Sequence, residues 1–160
     1  MNWQQEFKDS GLLREAFTHR SYLNEHPEIK SSHNERLEFL GDAVLELVTT
    51  EYLYIKYPEA NEGELTAYRA ALVNTETLSN VAREAGMNDY LLLSRGELRD
   101  TGRARSVILA NTFEAVLGAI FLDRGYIAVN DFLAHYLFPK TDKIVKEALW
   151  QDAKSLFQEK

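Results

Sequence analysis

The chain has 160 residues, enough for one domain with a hydrophobic core, and its 45% hydrophobic content excludes a disordered protein. It contains no cysteine, which excludes disulfides and thiolate metal sites and leaves oxygen and nitrogen as metal ligands. The net charge of −7 argues against a nucleic-acid-binding surface, which is usually basic, unless several carboxylates form one cluster that cations neutralise.

Two features of the chain concern its cellular setting. Residues 1–5 lack the basic start and apolar run of a signal peptide. The longest apolar segment, 107–122, is interrupted by Asn111, Thr112 and Glu114, so it falls short of the roughly 18 apolar residues that a membrane helix requires. Together with the absence of cysteine, these features predict a cytoplasmic protein with no membrane span.

Helical periodicity runs through nearly the whole chain, beginning with the apolar residues around Leu12. Proline and glycine mark the ends of several segments. Residues 94–105 are polar and predict a loop, and no run alternates long enough for a strand, so the fold class is all-α. Helices are predicted at about 12–17, 32–57, 62–72, 75–85, 106–124, 127–138 and from 141 to the end.

Three carboxylates share one face of the helix predicted at 32–57. Glu35, Glu38 and Asp42 are spaced i, i+3 and i+7, which places them side by side. They form either an ordinary exposed acidic face or a site for a hard divalent cation such as magnesium. Ser32 and Glu35 have the spacing of a capping box, so the helix is predicted to begin there. Its predicted core stripe comprises Leu37, Leu40, Val44 and Leu47.

Glu114 is the only charged residue within 107–122, and burying an unpaired carboxylate is costly. Asn111 lies one turn earlier on the same face and offers a neutral oxygen ligand. Glu114 therefore either belongs to the same cation site or pairs with an arginine such as Arg69. Glu62, at the start of another helix, is by itself an ordinary partner of the helix dipole.

The loop predicted at 94–105 is rich in arginine. These side chains either contact the phosphates of a nucleic acid or belong to a solvated polar loop. They are Arg95, Arg99, Arg103 and Arg105. The four histidines show no metal-ligand spacing, and His19 is predicted to be a structural hydrogen-bonding residue.

Three motifs resemble those of the ribonuclease III family and occur in the family's order: AFTHRSY at 16–22, NERLEFLGDAVL at 34–45 and SVILANTFEA at 106–115. The resemblance extends over about residues 1–149. It implies a homodimer of all-helical endonuclease domains that cleaves double-stranded RNA with magnesium, or manganese as a substitute. The products would carry 5′-phosphate and 3′-hydroxyl ends, in the processing of ribosomal and messenger RNA.

The resemblance also implies roles for individual residues. Catalysis would centre on Asp42 and Glu114, and Phe39 would insert into a pocket of the partner subunit. Glu35 and Glu62 would support the site, whose metal ligands would be Glu38, Asp42, Asn111 and Glu114. The family often has aspartate at position 111. Asn111 removes one negative charge but keeps an oxygen of the same reach, and it is either a natural variant or an engineered change.

Residues 150–160 resemble the junction and first helix of the double-stranded-RNA-binding domain that usually follows in this family. The resemblance implies a domain boundary near residue 149 and a chain that is a fragment, whose missing domain would supply much of the basic surface. Two other functions stay open. A non-catalytic module that binds duplex RNA is suggested by Asn111. A structural helical interaction domain would leave the acidic cluster unexplained.

Overall fold

The computed structural model describes Trp3 and residues 7–147. Within these residues no β-strand occurs, and a single parallel bridge pairs Thr18 with Leu92, so the all-α prediction is confirmed. The α-helices are α1 Ser10–Phe17, α2 Arg20–Glu25, α3 Glu35–Lys56, α4 Glu62–Leu72, α5 Thr75–Glu84, α6 Arg95–Arg99 and α7 Arg103–Tyr136. Two 3₁₀-helices follow α5 and α7, at Met87–Tyr90 and Phe138–Lys140, and residues 141–147 are again helical. The predicted tail at 150–160 lies outside the described residues.

The two long helices, α3 and α7, cross at a pair of glycines and form the largest helix–helix contact of the fold. A Cβ atom on Gly41 would lie 1.7 Å from the carbonyl oxygen of Glu114, and one on Gly118 would lie 2.3 Å from that of Leu37. Both distances are far below van der Waals contact, so only glycine allows the backbones to approach this closely. The crossing therefore fixes the position of one helix relative to the other.

The middle of α7 is buried on nearly all sides, as its apolar sequence predicts. Gly125 breaks the helix with φ 81° and ψ −173°, a conformation that only glycine readily adopts. The break confirms the predicted end near this residue. By length and composition alone, the helical stretch Arg103–Glu147 is long and apolar enough to cross a membrane. However, 61% of its most apolar window is buried inside the fold, and a core helix that packs against other helices has the same length and composition.

The predicted capping box at the start of α3 is wrong. The helix begins at Glu35, and Ser32 lies three residues before it. Asn34 is the N-cap residue and is buried, but its side chain donates to the carbonyl oxygen of Ala16 (3.2 Å) while its backbone N–H donates to that of Thr18 (2.9 Å). Contacts with the end of α1, rather than a side-chain cap from Asn34, therefore set where α3 starts.

The predicted core stripe of α3 is only half right. Leu37 and Val44 are buried, whereas Leu40 is half-buried and Leu47 is 60% exposed. The close approach of α7 at Gly41 decides which face of α3 is covered, and Leu47 lies away from that face.

The loop predicted at 94–105 is also partly wrong, because it contains a short helix and the first turn of the next one. Ser94 caps α6 by accepting a hydrogen bond from the backbone N–H of Glu97 (3.2 Å). Helix α7 begins at Arg103, three residues earlier than predicted, after Gly102. Serine is a favoured N-cap residue, so Ser94 could have indicated this helix, but the polar composition of the segment predicted a loop.

Candidate active site

Three carboxylates from two helices face one another beside the glycine crossing. Because the backbone of Gly41 touches that of Glu114, the side chains of Asp42 and Glu38 lie next to the Glu114 carboxyl. The negative charges of Asp42 and Glu38 both act to raise the pKa of Glu114. The structure thus brings together residues that are 72 and more positions apart in the sequence.

Glu114 is the most perturbed member of this cluster. Burial, followed by the charges of Asp42 and Glu38, raises the pKa of its carboxyl from an ordinary 4.5 to about 7. Burial and the charges of Glu35 and Asp42 likewise raise the pKa of Glu38. No described residue forms a hydrogen bond or ion pair with the Glu114 side chain. The alternative pairing with Arg69 is wrong, because Arg69 donates to the Thr50 hydroxyl instead (2.9 Å).

Asn111 lies one turn before Glu114 on α7 and is half-buried. Its side chain has no hydrogen-bond partner within the described part of the chain, so its amide oxygen is available to a ligand. It adds a neutral oxygen to the cluster and leaves the negative charge to the three carboxylates.

The two supporting residues behave differently. Glu35 lies at the exposed edge of the cluster, where Arg20 forms an ion pair with it (3.4 Å) and where its negative charge helps to raise the pKa of Glu38.

Glu62, the other predicted supporting residue, begins α4 and is exposed. It is not among the charges that act on Glu38 or Glu114, because α4 packs against the second half of α3, near Thr50. Thr50 is about 12 Å along α3 from Asp42. Within one chain, the structure does not bring Glu62 to the cluster.

The donor set of the cluster suits a hard divalent cation, since three carboxylates and an amide supply only oxygen ligands. No lysine or arginine among the residues that the structure describes compensates their negative charge. However, among Trp3 and residues 7–147, no three acidic or histidine side chains converge into a ready-made metal site. Mutual repulsion keeps uncompensated carboxylates apart. The ligand chemistry therefore fits magnesium, while the ligands themselves are not pre-arranged around one point.

The four predicted phosphate-contacting arginines divide into two groups. Arg95, Arg99 and Arg103 are exposed and open to a polyanion. Arg105 is only 7% exposed, and its guanidinium donates to the side-chain oxygen of Asn88 (3.1 Å) and to the carbonyl oxygen of Glu97 (2.7 Å). The prediction is therefore wrong for Arg105, whose charge is used to fasten α6 and the preceding 3₁₀-helix to α7.

Phe39 lies beside Glu38 and is 83% exposed, which is unusual for a phenylalanine. Two large, exposed apolar side chains follow it along the same side of α3, at spacings of eight and seven residues. We call this set the apolar stripe; it comprises Phe39, Leu47 and Tyr54. Sequence reasoning missed all but Phe39, although the seven- and eight-residue spacing could have revealed the stripe.

His19 is the N-cap of α2 and accepts a hydrogen bond from the backbone N–H of Ser21 (3.3 Å). Burial lowers the pKa of its imidazole. Its predicted structural role is confirmed.

Comparison with known proteins gives consistent results. Residues 9–141 match a family model described as ribonuclease-III-like. Ribonuclease 3 of Enterococcus faecalis is 51% identical over 136 residues, which cover 85% of this chain and 59% of that protein. Ribonuclease 3 of Latilactobacillus sakei is 51% identical over 137 residues, 86% of this chain and 60% of that protein. The chain thus spans about three-fifths of the length of these curated relatives.

A solved structure of the nuclease domain of ribonuclease III from Campylobacter jejuni superimposes with a TM-score of 0.74 at 39% identity. The match covers 85% of this chain and 95% of that one. Its description refers to structural flexibility in a region involved in dimer formation.

Proposed function

Because the chain belongs to the ribonuclease III family, we propose that it is a metal-dependent endoribonuclease acting on double-stranded RNA. It would hydrolyse phosphodiesters to leave 5′-phosphate and 3′-hydroxyl ends, in cytoplasmic processing of ribosomal and messenger RNA. The observation that carries the proposal is the cluster of Glu38, Asp42 and Glu114 at the crossing of α3 and α7, which has no cationic partner in the described part of the chain. A domain that only packed against other proteins would gain nothing from so costly a cluster.

The cluster would hold magnesium through Glu38, Asp42, Asn111 and Glu114, with manganese as a substitute. When bound, the ion would acidify water and stabilise negative charge on the phosphate. Two features of the cluster limit the repulsion between its carboxylates before a cation binds. At neutral pH the Glu114 carboxyl, with its pKa near 7, holds a proton part of the time, which limits the repulsion within the cluster. Asn111 adds an oxygen without adding to that repulsion.

A homodimer would provide two such clusters, one for each strand of the duplex. The apolar stripe supports this assembly, because exposed aromatic and aliphatic side chains in a row are typical of a protein interface. Phe39 lies directly next to Glu38, so the interface would adjoin the active site and bring the two sites into one valley.

Incubation of the chain with a long, perfectly paired RNA at low salt tests the proposal. We expect cutting in magnesium, none in EDTA, and none of single strands, since duplex RNA is read by shape, phosphates and 2′-hydroxyls. Asp42→Asn, which keeps the size of the side chain, should abolish cutting. Gln in place of the exposed Glu59, which lies outside the cluster, should leave it unchanged. Cutting by Asp42→Asn at the wild-type rate would refute the assignment.

Asn111 favours a second candidate, a module that binds duplex RNA without cutting it. A neutral ligand lowers the charge available to hold the cation. The same assay with Asn111→Asp separates the two functions. If only Asn111→Asp cuts the RNA, asparagine at position 111 is the cause of the inactivity of this chain. If both proteins bind the RNA and neither cuts it, the non-catalytic module is favoured.

A further inference from the structure

A pocket of about 610 Å³ between α5 and the beginning of α7 carries two arginines that lie outside the acidic cluster. Arg83 enters it from α5, and Arg103 enters it from α7. Both are exposed to solvent. The rest of the lining includes hydroxyl and amide side chains, so the pocket is polar and basic and open to a large ligand.

Arg83 is held in a fixed orientation by neutral acceptors. One terminal nitrogen donates to the Ser79 hydroxyl and the Asn80 side-chain oxygen (3.2 Å each), and the other donates to the Ser106 hydroxyl (2.7 Å). No carboxylate forms an ion pair with it among the residues that the structure describes. The guanidinium is therefore ordered in advance while its charge stays uncompensated, and at least two of its five N–H donors are left for a ligand.

Arg103 has no hydrogen bond or ion pair within Trp3 and residues 7–147. It lies in the first turn of α7, at the positive end of the helix dipole. Glu76 also lines the pocket, but it lies in the first turn of α5, about 10 Å along that helix from Arg83. The arginine end of the pocket therefore presents two positive charges that no carboxylate pairs with among the described residues.

The pocket lies in line with the acidic cluster. Arg103, Val107, Asn111 and Glu114 are spaced i, i+4, i+8 and i+11 along α7, which places them on one face. Arg103 is about 16 Å from Glu114 along the helix axis. A polyanion that lies along this face with one phosphate at the cluster would have a neighbouring phosphate at the pocket.

We propose that Arg83 and Arg103 form a phosphate subsite that holds the backbone of duplex RNA a few nucleotides from the phosphodiester that is hydrolysed. The inference rests on the proposed function. Guanidinium groups bind phosphate oxygens with paired, charge-assisted hydrogen bonds, and a guanidinium that is already ordered loses little entropy in doing so. Both arginines are positioning residues, since they lie away from the reacting phosphate.

The test measures binding of a perfectly paired RNA in EDTA, so that no cutting occurs, between about 50 and 200 mM salt. We expect Arg83→Gln and Arg103→Gln each to weaken binding about 3- to 10-fold and to reduce the slope of log K against log salt by about 0.7–0.9. Lys8→Gln is the control, because it removes one positive charge from an exposed side chain beside Asp123, about 30 Å along α7 from Arg103. It should leave the slope unchanged. In magnesium, both arginine variants should raise KM more than they lower kcat.

The proposal is overturned if both arginine variants keep the wild-type salt slope. If Arg83→Gln lowers the melting temperature, the salt slope of Arg103→Gln alone tests the subsite, because Arg103 has no hydrogen bond or ion pair with any described residue. If the variants cut duplex RNA and keep the wild-type salt slope, the phosphate subsite is refuted and the proposed function is not. A wild-type chain that neither binds nor cuts duplex RNA would refute both.

Discussion

Replacing Glu114 by glutamine should stabilise the metal-free protein while abolishing its activity. The carboxyl is half-buried, has no partner within the described residues, and faces the charges of Asp42 and Glu38. Glutamine keeps its shape and removes its charge. The substitution therefore relieves repulsion without leaving a cavity.

The magnitude follows from the pKa. A rise from 4.5 to about 7 spans about 2.5 pH units, which corresponds to about 3 kcal/mol at 1.36 kcal/mol per unit. Solvent screening at a half-buried group reduces this to about 1–2 kcal/mol. For a chain of this size, that is about 2–8 °C in melting temperature.

The effect depends on pH with a definite sign. The folded-state pKa of Glu114 is raised, so the folded protein carries the full penalty above pH 7, where the carboxyl is charged. As the pH falls from 7 towards 4.5, the wild-type folded state takes up a proton and the penalty disappears. Glutamine should therefore stabilise most at pH 8 and little at pH 5.

Thermal melts in EDTA at pH 8 and pH 5, with Glu59→Gln as the matched control, measure this directly. Adding magnesium at pH 8 should raise the melting temperature of the wild type more than that of Glu114→Gln, because binding to the folded state adds stability. A Glu114→Gln variant that melts at or below the wild-type temperature at pH 8 would refute the reasoning.

Three further predictions follow from other parts of the structure. Gly118→Ala places a Cβ atom 2.3 Å from the Leu37 carbonyl oxygen, so urea unfolding should show a loss of about 1–3 kcal/mol or more. Asn111→Asp adds a charged ligand and should lower the magnesium concentration for half-maximal cutting about tenfold in a titration; an unchanged midpoint would remove Asn111 from the ligand set. Phe39→Ala removes an exposed aromatic anchor and should weaken self-association at least about 30-fold in sedimentation velocity, whereas an unaffected dimer would contradict the role of the apolar stripe.

The carboxylates of the site could be predicted because helical spacing alone places Glu35, Glu38 and Asp42 on one face. Glu114 could be predicted because burying a lone carboxylate in an apolar helix costs free energy unless a partner or ligand compensates its charge. Their meeting across α3 and α7 could not be derived from spacing. It depends on Gly41 and Gly118, whose role becomes visible only when the two backbones touch.

The predictions that were wrong share a cause, since each depended on tertiary contacts. Arg105 looked like its neighbours in a polar segment, but Asn88 and Glu97 enclose it. Leu47 fitted a core stripe, but the crossing at Gly41 turned it outwards. Arg83 drew no attention in the sequence, because nothing local shows that Ser106, 23 positions away, fixes its guanidinium.

The central claim is that Glu38, Asp42 and Glu114 form a divalent-cation site, and calorimetric titration with manganese tests it most directly. At pH 7 the account predicts binding to the wild type with release of part of a proton from Glu114, seen as a dependence of the heat on buffer ionisation. Binding should be lost in Asp42→Asn and kept in Glu59→Gln. Equal binding by the wild type and Asp42→Asn, or no binding by either, would contradict the account.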